Sequence, residues 1–429
     1  MATQNKTMSA LKLYPDPLEL RFERVPIPEI THPDDAIVKV LLAGLCGSDL
    51  HAYRGLELFD TPYITGHELV GIVVSLGESF QNAAAGRPEL YSTLKVGDKV
   101  ISPFTSSCGE CRPCRIGFTA RCDHSLLFGS PRLPGAQAQY IRAPHAGGTL
   151  FRIPQDDSIL GNEPVARTRT SDASLILLGD ILPTGYFAAL QAIQHPNLAY
   201  AFARKTFPVI PSFVNAFVTG GESIKVQESD AKLVFAVVGL GPVGLCALIS
   251  LVELLGLSGT SNFAIVAVDP NETRRDKAEN ILSALGATPG GVIRVVSLDD
   301  APRISKELSG GLGCDAVLEW AFPLQLAYEL IRPFGVISSV GVHTHPQFPL
   351  NGDALYSKNV SLAFGRCPVR SIFPYCIELL MSRQDIFSVG GAAGLIENIV
   401  PFDEVSVKEA YRMFSEGKCG KVLFRMPSD

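Results

Sequence analysis

The stretch CGSDLHAYRGLELFDTPYITGHE carries Cys46, Ser48, Asp49, His51, His67 and Glu68, whose side chains can bind a metal or move a proton. A thiolate and an imidazole separated by a loop suit a zinc site that keeps one coordination position open for a reacting oxygen. Taken singly, a buried cysteine and a core histidine are the commoner reading of such a pair, so the rest of the chain must decide. A second cluster, CGECRPCRIGFTARC, places Cys108, Cys111, Cys114 and Cys122 at spacings of three, three and eight. Four thiolates that close can wrap one tetrahedral zinc and leave no place for a substrate, the mark of a structural site. An iron–sulfur cluster is the rival occupant, and zinc is preferred because the remaining motifs point to hydride rather than electron transfer.

A third signal is VVGLGPVG, in which Gly239, Gly241 and Gly244 form GxGxxG and enclose Pro242 and Val243. Glycines at that spacing permit a tight turn, close approach of the backbone to a pyrophosphate, and close packing of helix on strand. The motif alone is weak, but the following strand, FAIVAVD, ends in Asp269, whose carboxylate can bind the adenosine ribose hydroxyls. That carboxylate would repel a 2′-phosphate, so NAD is expected over NADP. Arg274 and Arg275 weigh the other way, since a guanidinium can recruit such a phosphate.

The elements that must position these residues fall into two kinds. Up to about residue 180 the chain reads as short strands with turns, AIVKVLLAG, GHELVGIVVSLG and VGDKVISPF, which suggests a twisted, partly closed β-domain. The polar, alanine-rich stretch between Gly77 and Gly97 reads as a surface excursion without chemistry. From Leu233 strands and helices alternate: KLVFAVVG, GLCALISLVELLG, FAIVAVD, RRDKAENILSALG, CDAVLEW, LQLAYELIRPFG, VISSVG. Buried parallel strands each followed by a helix predict a doubly wound α/β domain. The last segments, ELLMSRQ and VSVKEAYRMFSEGKCGKVLFRM, predict a helix and a strand that return to the first domain.

A chain of 429 residues with 46% hydrophobic and 19% charged residues can bury two or three cores. Its net charge of −6, without a basic cluster, gives no footprint for nucleic acid or acidic membranes, so the expected partner is a small molecule. Ten cysteines, four of them within fifteen residues, fit metal binding in a reducing compartment better than a disulfide framework. The opening residues lack the apolar core of a signal peptide and carry early acidic residues, so the expected location is the cytoplasm. The apolar run Leu233 to Leu257 raises the question of a membrane span, but GLGPVG interrupts it and strand, turn and helix explain it.

Across nearly its whole length the chain resembles the zinc-containing medium-chain alcohol dehydrogenases: GLCGSDLH, GHE, the four-cysteine lobe, GAQAQYIRAP, DILPTGY, GLGPVG and GKCGKVLF all match. The resemblance implies a GroES-like β-rich catalytic domain over 1–185, a Rossmann NAD-binding domain over 186–368 and a return to the catalytic domain over 369–429. The connection from DILPTGY to GLGPVG is longer than usual, an insertion of about 191–231. It also implies a catalytic zinc on Cys46, His67 and Asp180, a structural zinc on Cys108, Cys111, Cys114 and Cys122, and a nicotinamide contact at Thr184. The aspartate ligand is similar to the formaldehyde and polyol branches. Ser48 and His51 resemble a proton relay, Asp49 and Glu68 outer groups that tune the metal, and Phe104 a lining residue of the substrate pocket. Gly47 stands where some relatives carry a base for the pyrophosphate, so that contact is expected from amides, Lys421 or Arg366. His343 and His345 in GVHTHPQ read as solvated loop residues rather than another metal site. The expected protein is a two-zinc, NAD-linked alcohol dehydrogenase acting on an alcohol, aldehyde or ketone, assembled as a homodimer or homotetramer. A polyol or formaldehyde-type dehydrogenase, another reductase of the superfamily such as an enoyl or quinone reductase, and a non-catalytic zinc- and dinucleotide-binding scaffold are the alternatives.

Overall fold

Strand β1 (Thr7–Pro15) turns Leu11 and Leu13 into the core on alternate positions and pairs antiparallel with β2 (Leu18–Pro26). In this computed structural model the described residues are 6–154, 170–207, 209, 226–286, 290–320, 324–343 and 348–427. They form two units, Met1–Pro183 with Pro368–Asp429, and Thr184–Cys367.

The first unit continues with β3 (Ala36–Leu45), β4 (Tyr63–Ile64), β5 (Leu69–Leu76), β6 (Lys99–Ser102), β7 (Tyr140–Ala143) and β8 (Phe151–Ile153). The antiparallel pair β3–β5 matters most, because its register sets Ala43 opposite Leu69, just where Cys46 and His67 leave the two strands. β6 lies on the far side of β5 with Ser102 opposite Leu69, so the end of β6 lies beside the same corner. The polar stretch after Gly77 is more than a surface excursion. Arg87 within it binds Asp34 at 2.8 and 3.0 Å and Glu110 of the cysteine lobe at 2.7 Å, and its guanidinium lies 3.7 Å above the fully buried Tyr91 ring. Sequence polarity missed this because a charged side chain that finds its partners in space looks the same in sequence as a solvated one.

In the second unit the strands are β9 (Leu233–Val238), β10 (Phe263–Val268), β11 (Gly291–Val296), β12 (Cys314–Glu319), β13 (Ile331–Ser339) and β14 (Ser361–Phe364). They form one parallel sheet in the order β11-β10-β9-β12-β13-β14, a doubly wound Rossmann topology that reverses direction at β9. Every residue of β9, β10 and β12 is buried, which explains their unbroken apolar runs. The expected helix LQLAYELIRPFG is cut short at Leu330 and β13 begins at Ile331, since Pro333 cannot continue a helix. Part of the 191–231 insertion is described: a short helix, Ala199–Ala203, whose Tyr200 hydroxyl donates to Asp315 Oδ1 at 3.0 Å. Residues 208 and 210–225 of it lie outside the described residues.

The chain then adds two strands to the first unit, β15 (Ile396–Pro401) and β16 (Lys421–Arg425), with β16 antiparallel to β3. The helix between them, Glu404–Ser415, is capped by Asp403, whose Oδ1 accepts from Ser406 N at 2.9 Å. It buries Val407, Ala410, Tyr411 and Phe414 at helical spacing. Among the described residues no single helix is long and apolar enough to cross a membrane. The run read as strand, turn and helix is β9 followed by the helix Pro242–Leu257.

Candidate active site and metal centres

Two strand ends and a tight turn deliver the first cluster. Cys46 follows β3 and His67 precedes β5, and Gly44 N donates to Glu68 O at 3.1 Å to lock that corner. Asp180 arrives from a tight turn, Ile176–Gly179, whose Gly179 carbonyl accepts from Phe104 N at 3.1 Å and whose Cα faces Ser102 so closely that an added Cβ would lie 2.8 Å from its oxygen. The outcome is a donor set: Asp180 Oδ2 lies 3.3 Å from Cys46 Sγ and 3.1 Å from His67 Nε2, with all three residues buried. Two ligands of one tetrahedral zinc stand roughly 3.4–3.6 Å apart, so the set fits that ion with little adjustment. The other imidazole nitrogen, Nδ1, is 3.3 Å from Asp49 Oδ1, and Asp49 Oδ2 accepts from Cys46 N at 3.1 Å. One carboxylate thus orients two of the donors.

The electrostatics favour a cation. Burial pushes the Cys46 thiol up and Asp180 pushes it further, while Asp49 and Asp180 outweigh burial and hold the His67 pKa well above the ordinary imidazole value. The positive charge that such protons supply is what a divalent metal replaces when the donors deprotonate to bind it. Ser48 Oγ reaches His67 Nε2 at 3.2 Å, at the edge of the donor set. His51 lies on the helix Asp49–Tyr53 and is half-buried. Phe104 is buried, its ring edge-on to His67 with centroids 6.4 Å apart.

Glu68 and Lys421 form a pair that sequence reasoning did not connect. Both side chains are fully buried, and Lys421 Nζ donates to Glu68 Oε2 and, at 3.0 Å, to Leu45 O. This corrects the expectation that Lys421 contacts a pyrophosphate: the register Val422↔Leu45 carries it into the core behind Cys46, where no phosphate reaches it. Gly44 makes room for the pair, since a Cβ there would stand 1.7 Å from Glu68 Oε2. The one hint in sequence was a lysine set before the apolar run Val422, Leu423 and Phe424. Gln137 ties the return helix to the same corner, accepting from Tyr411 OH at 2.8 Å and Thr65 Oγ1 at 2.6 Å and donating to Gly44 O at 3.1 Å.

The four-cysteine lobe is drawn together as a second donor set. Cys122 Sγ lies 3.6 Å from Cys108 Sγ and 3.8 Å from Cys111 Sγ, and Cys114 completes a group of four. Sulfurs on one tetrahedral zinc stand about 3.8 Å apart. Backbone amides of Cys108, Glu110, Cys111 and His124 donate to these sulfurs at 3.2–3.3 Å, as suits thiolates.

In the second unit, Gly239 takes φ 94°, and a Cβ on Gly244 would lie 1.9 Å from the Gly239 carbonyl oxygen. Only glycine allows that turn to close onto the helix Pro242–Leu257, with Gly241 preceding it and Pro242 and Val243 in its first turn. Asp269 ends β10 fully buried: Oδ2 accepts from Leu240 N at 2.7 Å and Oδ1 from Asn271 N at 2.8 Å. Arg274 Nη1 stands 3.6 Å from Asp269 Oδ2, while Arg275 donates to the Asp269 and Pro270 carbonyls at 2.9 and 2.8 Å. Thr184 is buried on the helix Ile181–Ile193, and the adjacent Gly185 packs against the Ala247 backbone. His345 lies outside the described residues.

Two zinc donor sets in a β-rich unit and a glycine-rich turn on a doubly wound sheet are the parts of a zinc-dependent oxidoreductase. Residues 32–155 match the alcohol dehydrogenase GroES-like domain. The chain is 34% identical over 428 residues to zinc-type alcohol dehydrogenase B of Aspergillus flavus, covering 99% of this chain and 82% of that one. It is 36% identical over 352 residues to the medium chain reductase/dehydrogenase ucsI of an Acremonium species, covering 80% and 96%. A solved structure, the alcohol dehydrogenase TADH from Thermus sp. ATN1, superposes with a TM-score of 0.70 at 27% identity, covering 98% of this chain and all of that one. The chain belongs to the zinc-type alcohol dehydrogenases of the medium-chain superfamily.

Proposed function

We propose that this chain is an NAD-linked alcohol dehydrogenase that moves a hydride between the carbinol carbon of a small alcohol and nicotinamide. The observation that carries the reading is the convergence of Cys46, His67 and Asp180 from two strand ends and a tight turn onto one buried point. Zinc bound there supplies Lewis acidity toward a hydroxyl or carbonyl oxygen, and the nicotinamide supplies the hydride acceptor or donor. Cys46 and Asp180 contribute two negative charges and His67 a neutral nitrogen, a set that balances a divalent ion. Asp49 fixes the His67 ring through Nδ1, so Nε2 is the nitrogen turned to the metal. Ser48, whose Oγ lies 3.2 Å from His67 Nε2, accepts the hydroxyl proton in this reading as the hydride leaves carbon, and His51, three residues on, takes it toward solvent. Cys108, Cys111, Cys114 and Cys122 hold a second zinc that stabilises the lobe and takes no part in the reaction.

NAD is the favoured cofactor, because Asp269 keeps a buried carboxylate where a 2′-phosphate would otherwise sit. Asp269→Ser should weaken NAD roughly tenfold and weaken NADP much less, as read from KM for both cofactors; an unchanged preference removes the ribose role of Asp269. None of the ten cysteines, all among the described residues, forms a disulfide, which suits a cytoplasmic enzyme, and a homodimer or homotetramer is the proposed assembly. The decisive experiment pairs a zinc count with NADH absorbance over a panel of primary alcohols, polyols, aldehydes and ketones. Two zincs per chain with NAD-dependent turnover is the expected result. Two zincs with no turnover on any member would replace the enzyme by a zinc- and dinucleotide-binding scaffold.

A further inference from the structure

His343, which the sequence placed among solvated loop residues, is half-buried in a polar cluster. Its Nε2 lies 3.2 Å from Glu319 Oε2 and 3.1 Å from Ser339 Oγ, and Ser339 Oγ donates to the same carboxylate oxygen at 2.9 Å. Glu319 is fully buried at the end of β12, and Ser339 ends β13 as its register partner. A buried carboxylate calls for a counter-charge, and the hydrogen bond to Glu319 raises the His343 pKa against the opposing effect of burial. With Nε2–H turned to Glu319, a protonated ring also offers a donor at Nδ1, which has no hydrogen-bond partner among the described residues.

The place of this cluster in the sheet gives that donor a direction. Val238, Glu319 and Ser339 are register partners across β9, β12 and β13, and Gly239 of the glycine turn follows Val238 directly. At one strand spacing of about 4.8 Å per step, the cluster stands roughly 5–10 Å along the carboxyl edge from that turn. The edge is the one where strand order reverses, the usual ligand crevice of an open α/β sheet. Trp320, next to Glu319, closes the gap: its Cζ2 would lie 2.5 Å from a Cβ on Gly244, and its indole Nε1 is buried without a hydrogen-bond partner among the described residues. A buried donor left over beside the turn is a second sign that a polar ligand completes this edge.

We propose that His343, braced by Glu319 and Ser339, donates from Nδ1 to the diphosphate–ribose linkage on the nicotinamide side of the dinucleotide. This rests on the dinucleotide reading above and extends it to the half of the cofactor that Asp269 does not touch. The competing account is that His343 merely neutralises a buried carboxylate.

The test is calorimetric titration of the zinc-loaded full chain with NAD, ADP-ribose and AMP. His343→Ala should weaken NAD and ADP-ribose about tenfold, as expected for loss of a charge-assisted hydrogen bond, and leave AMP within about twofold. His343→Gln, which keeps an N–H donor, should recover most of that loss. NAD binding unchanged in His343→Ala overturns the proposal, and so does a parallel fall in AMP, which would mean that the turn itself was disturbed. A loss with NAD but none with ADP-ribose overturns the assignment by moving the contact to the nicotinamide ring. If the wild-type chain binds none of the three, the dinucleotide reading itself fails and takes this proposal with it.

Discussion

Asp180→Ala is expected to lower turnover by about a thousandfold or more and to reduce bound zinc from two ions per chain to one, with the four-cysteine zinc retained. The size follows from what the side chain supplies. Asp180 Oδ2 is the atom that both Cys46 Sγ and His67 Nε2 approach, so its removal takes away a donor and one of the two negative charges proposed to hold the ion. Loss of metal removes several kcal/mol of charge stabilisation at the reacting oxygen. Cys46→Ala should give the same pattern. Asp180→Asn is the sharper variant, because the amide keeps the shape but not the charge and should weaken zinc without emptying the structural lobe. Metal analysis beside kinetics decides the matter, and full zinc content with wild-type turnover in Asp180→Ala would remove Asp180 from the ligand set.

The second large effect concerns stability. Lys421→Met should destabilise the first unit by about 3–5 kcal/mol, because it leaves the Glu68 carboxylate buried beside Gly44 without its cation. Glu68 Oε1 already has no hydrogen-bond partner among the described residues, so the carboxylate leans on Lys421. Adding Glu68→Gln should restore much of the loss, since the double variant buries no charge at all. The only tryptophan, Trp320, belongs to the second unit, so the measurement is denaturant unfolding followed by circular dichroism rather than by fluorescence. A shift below about 1 kcal/mol in Lys421→Met, or a double variant no better than the single, would show that the pair does not anchor this corner.

Much of the architecture was legible because its signals are local. Unbroken apolar runs marked β9, β10 and β12, and the spacing of Gly239, Gly241 and Gly244 marked the turn that joins a strand to a helix. The Cys108–Cys122 lobe was legible for the same reason, since four ligands within fifteen residues need little chain to close around one ion. The helix expected over LQLAYELIRPFG ended early at a proline that the periodicity had overrun.

What the sequence determined by itself was therefore the chemistry available in each segment and the element that carries it: a thiol after one strand, an imidazole before another, a carboxylate after a glycine turn. Tertiary structure alone decided which of these meet. Antiparallel register set Ala43 opposite Leu69 and Val422 opposite Leu45, and so placed His67 by Cys46 but turned Lys421 inward to Glu68, away from any phosphate. Parallel register did the same for Glu319 and Ser339, turning His343 from a loop residue into part of a buried polar cluster. The physical reason is common to both. A strand's pattern shows which side chains share a face, whereas its neighbour and register depend on long-range packing, and a one-residue slip would send each of these groups to the opposite face.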